Sequence, residues 1–187
     1  MIGVDEVGRG AWAGPLLVVA ARVKEHSELP PGLTDSKLLS KKMRETIYEQ
    51  LMITCEFGEG WVHADEIDET GLRGALRLAS MRAIGKLQID SSEKVCIDGT
   101  VNFLKDVHEN SFTQVKADQD IPIVSAASVY AKVTRDRWMA RLRYEYPAYN
   151  FEYNVGYGTK FHIAALKKYG VTEHHRKSFK PVQSLLK

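Results

Sequence analysis

The chain of 187 residues is 44% hydrophobic and 27% charged, the balance of one soluble globular domain, and no apolar run approaches the roughly 18 residues of a membrane span. The net charge of +2 conceals an asymmetry, since residues 131–187 hold 12 Lys+Arg against 4 Asp+Glu and the rest is acidic in balance. The apolar "PLLVVAA" run follows Asp5 and Glu6 rather than a basic segment, which argues against a signal peptide and for a cytoplasmic protein with no membrane partner.

In chain order, residues 1 to 5 and 16 to 24 read as short Val/Ile-rich strands around a Gly-rich turn, able to pair antiparallel. After a Pro-Pro-Gly loop, Leu39, Met43, Ile47 and Leu51 recur every four residues, predicting a helix with Ser36 or Ser40 as its cap. "CEFGEGWVHADEID" reads as a third strand and "LRGALRLASMRAIGKL" as an amphipathic helix. "KVCIDG" reads as a short strand ending, like residues 1 to 8, in a carboxylate and a glycine. "FTQVKAD" reads as another strand and residues 125 to 146 as a long helix. A Gly/Tyr loop, "NVGYGT", and the helix "KFHIAALKKYG" follow. This order predicts one domain over 1–187, a mixed α/β sheet with helices on its faces and a basic C-terminal segment from about residue 150. Cys55 and Cys96 lack metal-ligand spacing and are expected to be reduced, buried and inert.

Asp5 and Asp98 each end a strand just ahead of a glycine, the rim position where ligands of open α/β sheets bind. If the two strands are neighbours, the carboxylates repel and require a cation; Mg²⁺, which takes oxygen ligands and completes its shell with water and phosphate, suits them. Glu6 would point to the opposite face unless the chain twists as it leaves the strand. Asp118, in "VKAD", is read as a third strand-end acid. Four carboxylates from three segments suffice for two divalent ions in a phosphoryl-transfer site.

The segments "GVDEVGRG", "DSKLLS", "IDG", "VKAD", "SAASVYAKVTRD", "GYGT" and "HHRKSFKPV" occur in an order that resembles bacterial ribonuclease HII, and they span nearly the whole chain. The resemblance implies a ribonuclease H-like fold with a mixed five-stranded sheet and a C-terminal helical extension. It also implies cleavage, with two Mg²⁺ or Mn²⁺ ions, of RNA in RNA-DNA hybrids and on the 5′ side of a lone ribonucleotide in DNA. Asp5, Glu6, Asp98 and Asp118 then resemble the catalytic acids, and Gly8, Arg9 and Gly10 the turn that senses the 2′-hydroxyl. Tyr157 resembles the residue that senses the following deoxyribose. Trp12 is bulkier than the resemblance leads one to expect after the turn.

Other residues carry competing readings. Asp136 falls on a mostly apolar helical face and is expected to pair with an arginine rather than bind metal. Lys37, Lys132, Arg176 and Lys177 are phosphate-contact candidates, whereas Arg9 either contacts phosphate or shapes its turn. His174 and His175 would diverge on an extended chain and are assigned to a basic, phosphate-facing tail rather than to a metal. Asp65, Glu66, Asp68 and Glu69 read as a solvated helix entry. The expected partner is an RNA-DNA hybrid or a ribonucleotide-containing duplex bound by a monomer, with any sliding-clamp partner not legible. The alternatives are a metal-dependent DNA nuclease or resolvase on the same fold, a non-catalytic duplex-binding module, and ribonuclease HIII, which the GRG turn disfavours.

Overall fold

The computed structural model describes residues 1–33, 36 and 39–186. β1 (Ile2–Val7) pairs antiparallel with β2 (Leu16–Val23), setting Asp5 opposite Val19. β2 pairs antiparallel with β3 (Cys55–Val62), while β1 runs parallel to β4 (Val95–Asp98) and β4 parallel to β5 (Ser111–Gln114). The order β3-β2-β1-β4-β5 puts β1 in the middle of the expected five-stranded mixed sheet. A central strand covered on both faces needs apolar residues at odd and even positions. β2 supplies them: Leu16, Val18 and Ala20 enter one core and Leu17, Val19 and Ala21 the other.

Helix α1 (Lys41–Thr54) starts at Ser40, whose hydroxyl accepts the Met43 N–H. α2 (Ala64–Leu87) covers the first face with Ile67, Leu76, Ala79 and Ala83. It begins inside the segment expected to be strand, because the Glu66 carboxylate turns back to accept the His63 N–H at 2.9 Å, closing a capping box. α1 and α4 (Pro122–Arg141) cover the second face through Ile47, Leu51, Ile123, Ala127 and Tyr130. α4 starts and ends before the predicted bounds of 125 to 146. Pro122 opens it, and 3₁₀ turns at Leu142–Tyr144 and Pro147–Tyr149 follow it.

"VKAD" is not strand. The chain leaves β5 at Gln114, Lys116 adopts φ 58°, and Ala117–Asp120 forms the short α3, so Asp118 is a helical residue rather than a strand end. Beyond the sheet, α5 (Phe151–Asn154), α6 (Lys160–Tyr169) and α7 (Lys180–Gln183) make up the C-terminal helical extension. Phe151 and Leu166 pack there with Ala13 and Met139. The extension is tied to the loop after β1 by backbone bonds from Gly14 N to His174 O and from Arg176 N to Trp12 O, each 2.8 Å. No helix among the described residues is long and apolar enough to cross a membrane.

Candidate active site

The parallel register sets Val4 beside Ile97, and one step further Asp5 stands beside Asp98 at the carboxyl ends of two adjacent strands. The strand neighbourhood on which the carboxylate reading depended is therefore present. Asp5 is only 8% exposed. One of its oxygens accepts the Glu6 N–H at 2.7 Å, and the Ser128 hydroxyl also bonds its side chain. Ser128 is held in turn by Ser36 at 3.0 Å. Burial first, then the charge of Glu6, push the Asp5 carboxyl well above the usual carboxylate range; Asp98 adds to this, while the bonds from Ser128 and Glu6 oppose it. Asp98 Oδ1 accepts the Ala117 N–H at 2.7 Å.

These residues fit a hard divalent cation. The donors are all oxygens, and the burial of Asp5 beside the charges of Glu6 and Asp98, which works against its carboxylate form, is what such an ion relieves. Among the described residues no three His, Cys, Asp or Glu side chains stand together as a ready-made metal site, and Mg²⁺ in general binds through one or two carboxylates plus water and substrate phosphate. Asp118 is buried on α3, next to the amide that bonds Asp98, and its carbonyl accepts the Ser125 hydroxyl at 2.6 Å.

A cleft of about 330 Å³ is lined by Asp5, Glu6, Asp98, Gly8, Arg9, Lys132 and Tyr157. The structure thus brings together residues that are distant in sequence. Arg9 is exposed and lies 3.7 Å from Glu6. Gly8 has φ 85°, a left-handed conformation, and a β-carbon there would overlap the Arg135 guanidinium. A β-carbon at Gly10 would lie 3.8 Å from the Tyr157 ring, so the GRG turn and the tyrosine are neighbours. The bulk of Trp12 is accommodated beside Gly158, where any side chain would overlap its indole.

Arg176 departs from its expected place. It is fully buried, donating from Nε to Gly14 O and from Nη1 to Arg9 O, both at 3.1 Å, and so braces the turn from behind rather than facing a phosphate. Arg135, equally buried, donates to the carbonyls of Pro15 at 2.8 Å, Val155 at 2.9 Å and Ala13 at 3.3 Å. Burial, together with the charge of Arg135, lowers the Arg176 pKa to about 9. Lys177 is exposed, and its backbone N–H bonds Asp68 at 2.8 Å. Asp68 also accepts from the amide and hydroxyl of Ser178, so this acid anchors the C-terminal segment instead of merely meeting water.

Asp136 pairs with Lys132, at 2.6 and 2.7 Å, and among the described residues makes no ion pair with the expected arginine. Lys37 lies outside the described residues. His174 and His175 diverge as expected, but His175 is buried rather than phosphate-facing. His174 meets Trp138 and Tyr146 edge-on, whereas His175 reaches His162. Sequence reading missed Ser128 and Arg135. Their signal was present: Ser128, Ala131, Arg135 and Met139 recur at helical spacing on one buried face, where a polar residue needs a specific partner.

The family model described as Ribonuclease HII matches residues 2–182. Ribonuclease HII of Coxiella burnetii is 44% identical over 184 residues, covering 98% of this chain and 89% of the relative. The Archaeoglobus fulgidus structure described as a PCNA:RNase HII complex is similar with a TM-score of 0.82 at 25% identity, over 96% of this chain and 94% of that one. Ribonuclease H2 from Pyrococcus horikoshii OT3 gives 0.79 at 27% identity, over 99% and 96%. With a match along nearly its whole length, on the same fold, the chain belongs to the ribonuclease HII family and is a ribonuclease H.

Proposed function

We propose that the enzyme hydrolyses the RNA strand of RNA-DNA hybrids and cuts on the 5′ side of a single ribonucleotide embedded in duplex DNA, leaving 3′-hydroxyl and 5′-phosphate ends. The observation that carries this reading is the single cleft shared by Asp5, Glu6, Asp98, the Gly8–Arg9 turn and Tyr157. Asp5, Glu6, Asp98 and Asp118 would hold two Mg²⁺ or Mn²⁺ ions, which when bound supply water activation and stabilisation of the leaving 3′-oxygen. Asp5, buried and bonded by Ser128, is held at the cleft, where a divalent ion would favour its charged form against the burial and the Glu6 charge that oppose it.

The turn provides selection. Arg135 and Arg176 engage the carbonyls of residues 9, 13, 14 and 15 from within, and at Gly8 and Gly10 no side chain stands between the backbone and the minor groove, where a 2′-hydroxyl marks RNA. Tyr157, beside Gly10, lies against the next sugar, where a second 2′-hydroxyl would crowd its ring. Arg9, Lys132 and Lys177 contact phosphates without reading sequence. The archaeal relative described in complex with PCNA extends the proposal to a clamp-type partner, which co-elution would test.

The decisive experiment incubates the protein and Mg²⁺ with a DNA duplex carrying one ribonucleotide and maps the ends. Cleavage 5′ of the ribonucleotide is expected. Equal cutting of an all-DNA duplex would instead identify a DNA nuclease.

A further inference from the structure

Behind the Tyr157 loop lies a buried row of hydrogen bonds that the acid chemistry does not use. Thr172 N–H donates to His175 Nδ1 at 2.8 Å, His175 Nε2 stands 3.0 Å from His162 Nε2, and His162 Nδ1 stands 2.9 Å from the Tyr157 carbonyl oxygen. The ends determine the direction of the whole row. A backbone amide only donates, so His175 Nδ1 accepts and its proton sits on Nε2. A carbonyl only accepts, so His162 carries its proton on Nδ1 and its Nε2 receives the bond from His175. Both rings are therefore neutral. A proton added to His162 would set two N–H groups against each other across 3.0 Å, and one added to His175 would face the Thr172 amide.

The surroundings favour that state. Both rings are essentially inaccessible to water and lie among Trp12, Tyr149 and Phe151. Of the titratable groups around them, His174 acts against a charge on His175. The Tyr149 phenol, which has Tyr169 beside it, donates to Gly170 O. Glu173 accepts from Tyr146, and Arg176 is engaged with Gly14 and Arg9. At its far end the row is joined to the segment after the GRG turn, since His175 bridges Ala13 and the Arg176 N–H bonds Trp12. The remaining bonds on the Tyr157 backbone, to Asn154 and Thr159, stay within its own loop. Glycines flank it on both sides and offer no side chain as a buttress.

We propose that His162 and His175 are positioning residues for substrate selection: as a neutral pair bonded in one direction, they register the Tyr157 ring against the GRG turn, so that a ribonucleotide and the deoxyribose after it are examined together. This deepens, and rests on, the reading of Tyr157 given above. A pair that only filled the core would affect all substrates alike.

The test is the ratio of kcat/KM at an RNA-to-DNA junction to kcat/KM within a continuous RNA strand, measured for wild type, Tyr157→Ala, His162→Leu, His162→Asn and the double variant Tyr157→Ala/His162→Leu. His162→Leu removes the row, whereas His162→Asn keeps a donor close to the Tyr157 carbonyl. We expect His162→Leu to lower the ratio about tenfold, the scale of one lost buried hydrogen bond, and His162→Asn to recover most of it. The double variant should match Tyr157→Ala alone, because the histidine acts through the tyrosine. An altered ratio in Tyr157→Ala with an unaltered one in His162→Leu, or additive effects in the double variant, overturns the histidine proposal while leaving the tyrosine reading intact. An unaltered ratio in Tyr157→Ala overturns both. If His162→Leu does not fold, nitrogen NMR of the wild type reads the row directly: Nδ1–H on His162 and Nε2–H on His175 support it, and the opposite tautomers or a charged ring at pH 7 refute it.

Discussion

Arg176 Nη1 donates to the Arg9 carbonyl at 3.1 Å, joining the C-terminal segment to a turn 167 positions earlier in the chain. This contact separates two adjacent basic residues into different roles. Arg176→Met should lower stability by about 1–3 kcal/mol, the cost of leaving buried carbonyls without donors, and should reduce cleavage by loosening the turn. Lys177→Ala should leave the melting temperature unchanged, weaken binding to all duplexes evenly and reduce the salt slope by about one counterion. Thermal melts and salt titrations check both; a stable Arg176→Met variant with weakened binding would return that residue to the phosphate surface.

The strand-end acids should trade stability for chemistry. Asp98→Asn preserves size while removing a negative ligand, so cleavage in Mg²⁺ should fall by orders of magnitude while duplex binding survives. Asp5→Asn should do the same and also raise the melting temperature in chelator. Its folded pKa is raised, so the stability linked to it is present below the ordinary carboxylate range and lost as pH rises; at neutral pH the buried charge is a cost that Asn removes. An unchanged or lower melting temperature for Asp5→Asn in chelator would contradict this account.

Asp118 and Asp136 should separate cleanly. Asp136 is held by Lys132 on the same helix, so Asp136→Asn should keep cleavage within about tenfold of wild type, the scale of a lost surface ion pair. Asp118→Asn should lose far more at saturating metal. Turnover of the two variants on one duplex decides between them, and the reverse order would exchange the assignments.

Gly8→Ala tests the turn. Its φ of 85° and the Arg135 side chain behind it leave no room for a methyl group. We expect a loss of about 1–3 kcal/mol from strain alone, with a further fall in preference for ribonucleotide-containing over all-DNA duplexes. Preserved selectivity on a destabilised protein would mean that the turn is structural only.

Acid sensitivity should follow His175. Burial, then the neighbouring His162, lower its pKa to about 3, so the unfolded chain binds this proton first as pH falls. Its contribution to stability is whole above the ordinary value of 6.5 and is lost progressively as pH drops toward 3. Urea unfolding between pH 7.5 and 4 should show a decline on the order of a few kcal/mol over that window, and a shallower one in His175→Leu. An identical slope in the variant would place the acid-sensitive group elsewhere.

Local chemistry determined much that could be read in the chain. A strand ending in Asp and Gly is visible at residues 5 to 8 and 98 to 99 because apolar runs and glycine punctuation act over a few residues, and periodicity marked α2 and α6 for the same reason. The sequence could not show that β4 lies beside β1, since strand neighbours are chosen by packing across the whole domain; that choice alone sets Asp98 next to Asp5. Nor could it show that "VKAD" bends into a helix, where the Ala117 amide is taken by Asp98. Arg176 and Lys177 are the plainest case. They are adjacent residues of like charge, yet one is buried against carbonyls supplied by residues 9 and 14 and the other meets water. Charge and propensity belong to a residue, whereas burial and hydrogen-bond partners belong to the surfaces that folding brings against it, which only the tertiary structure decides.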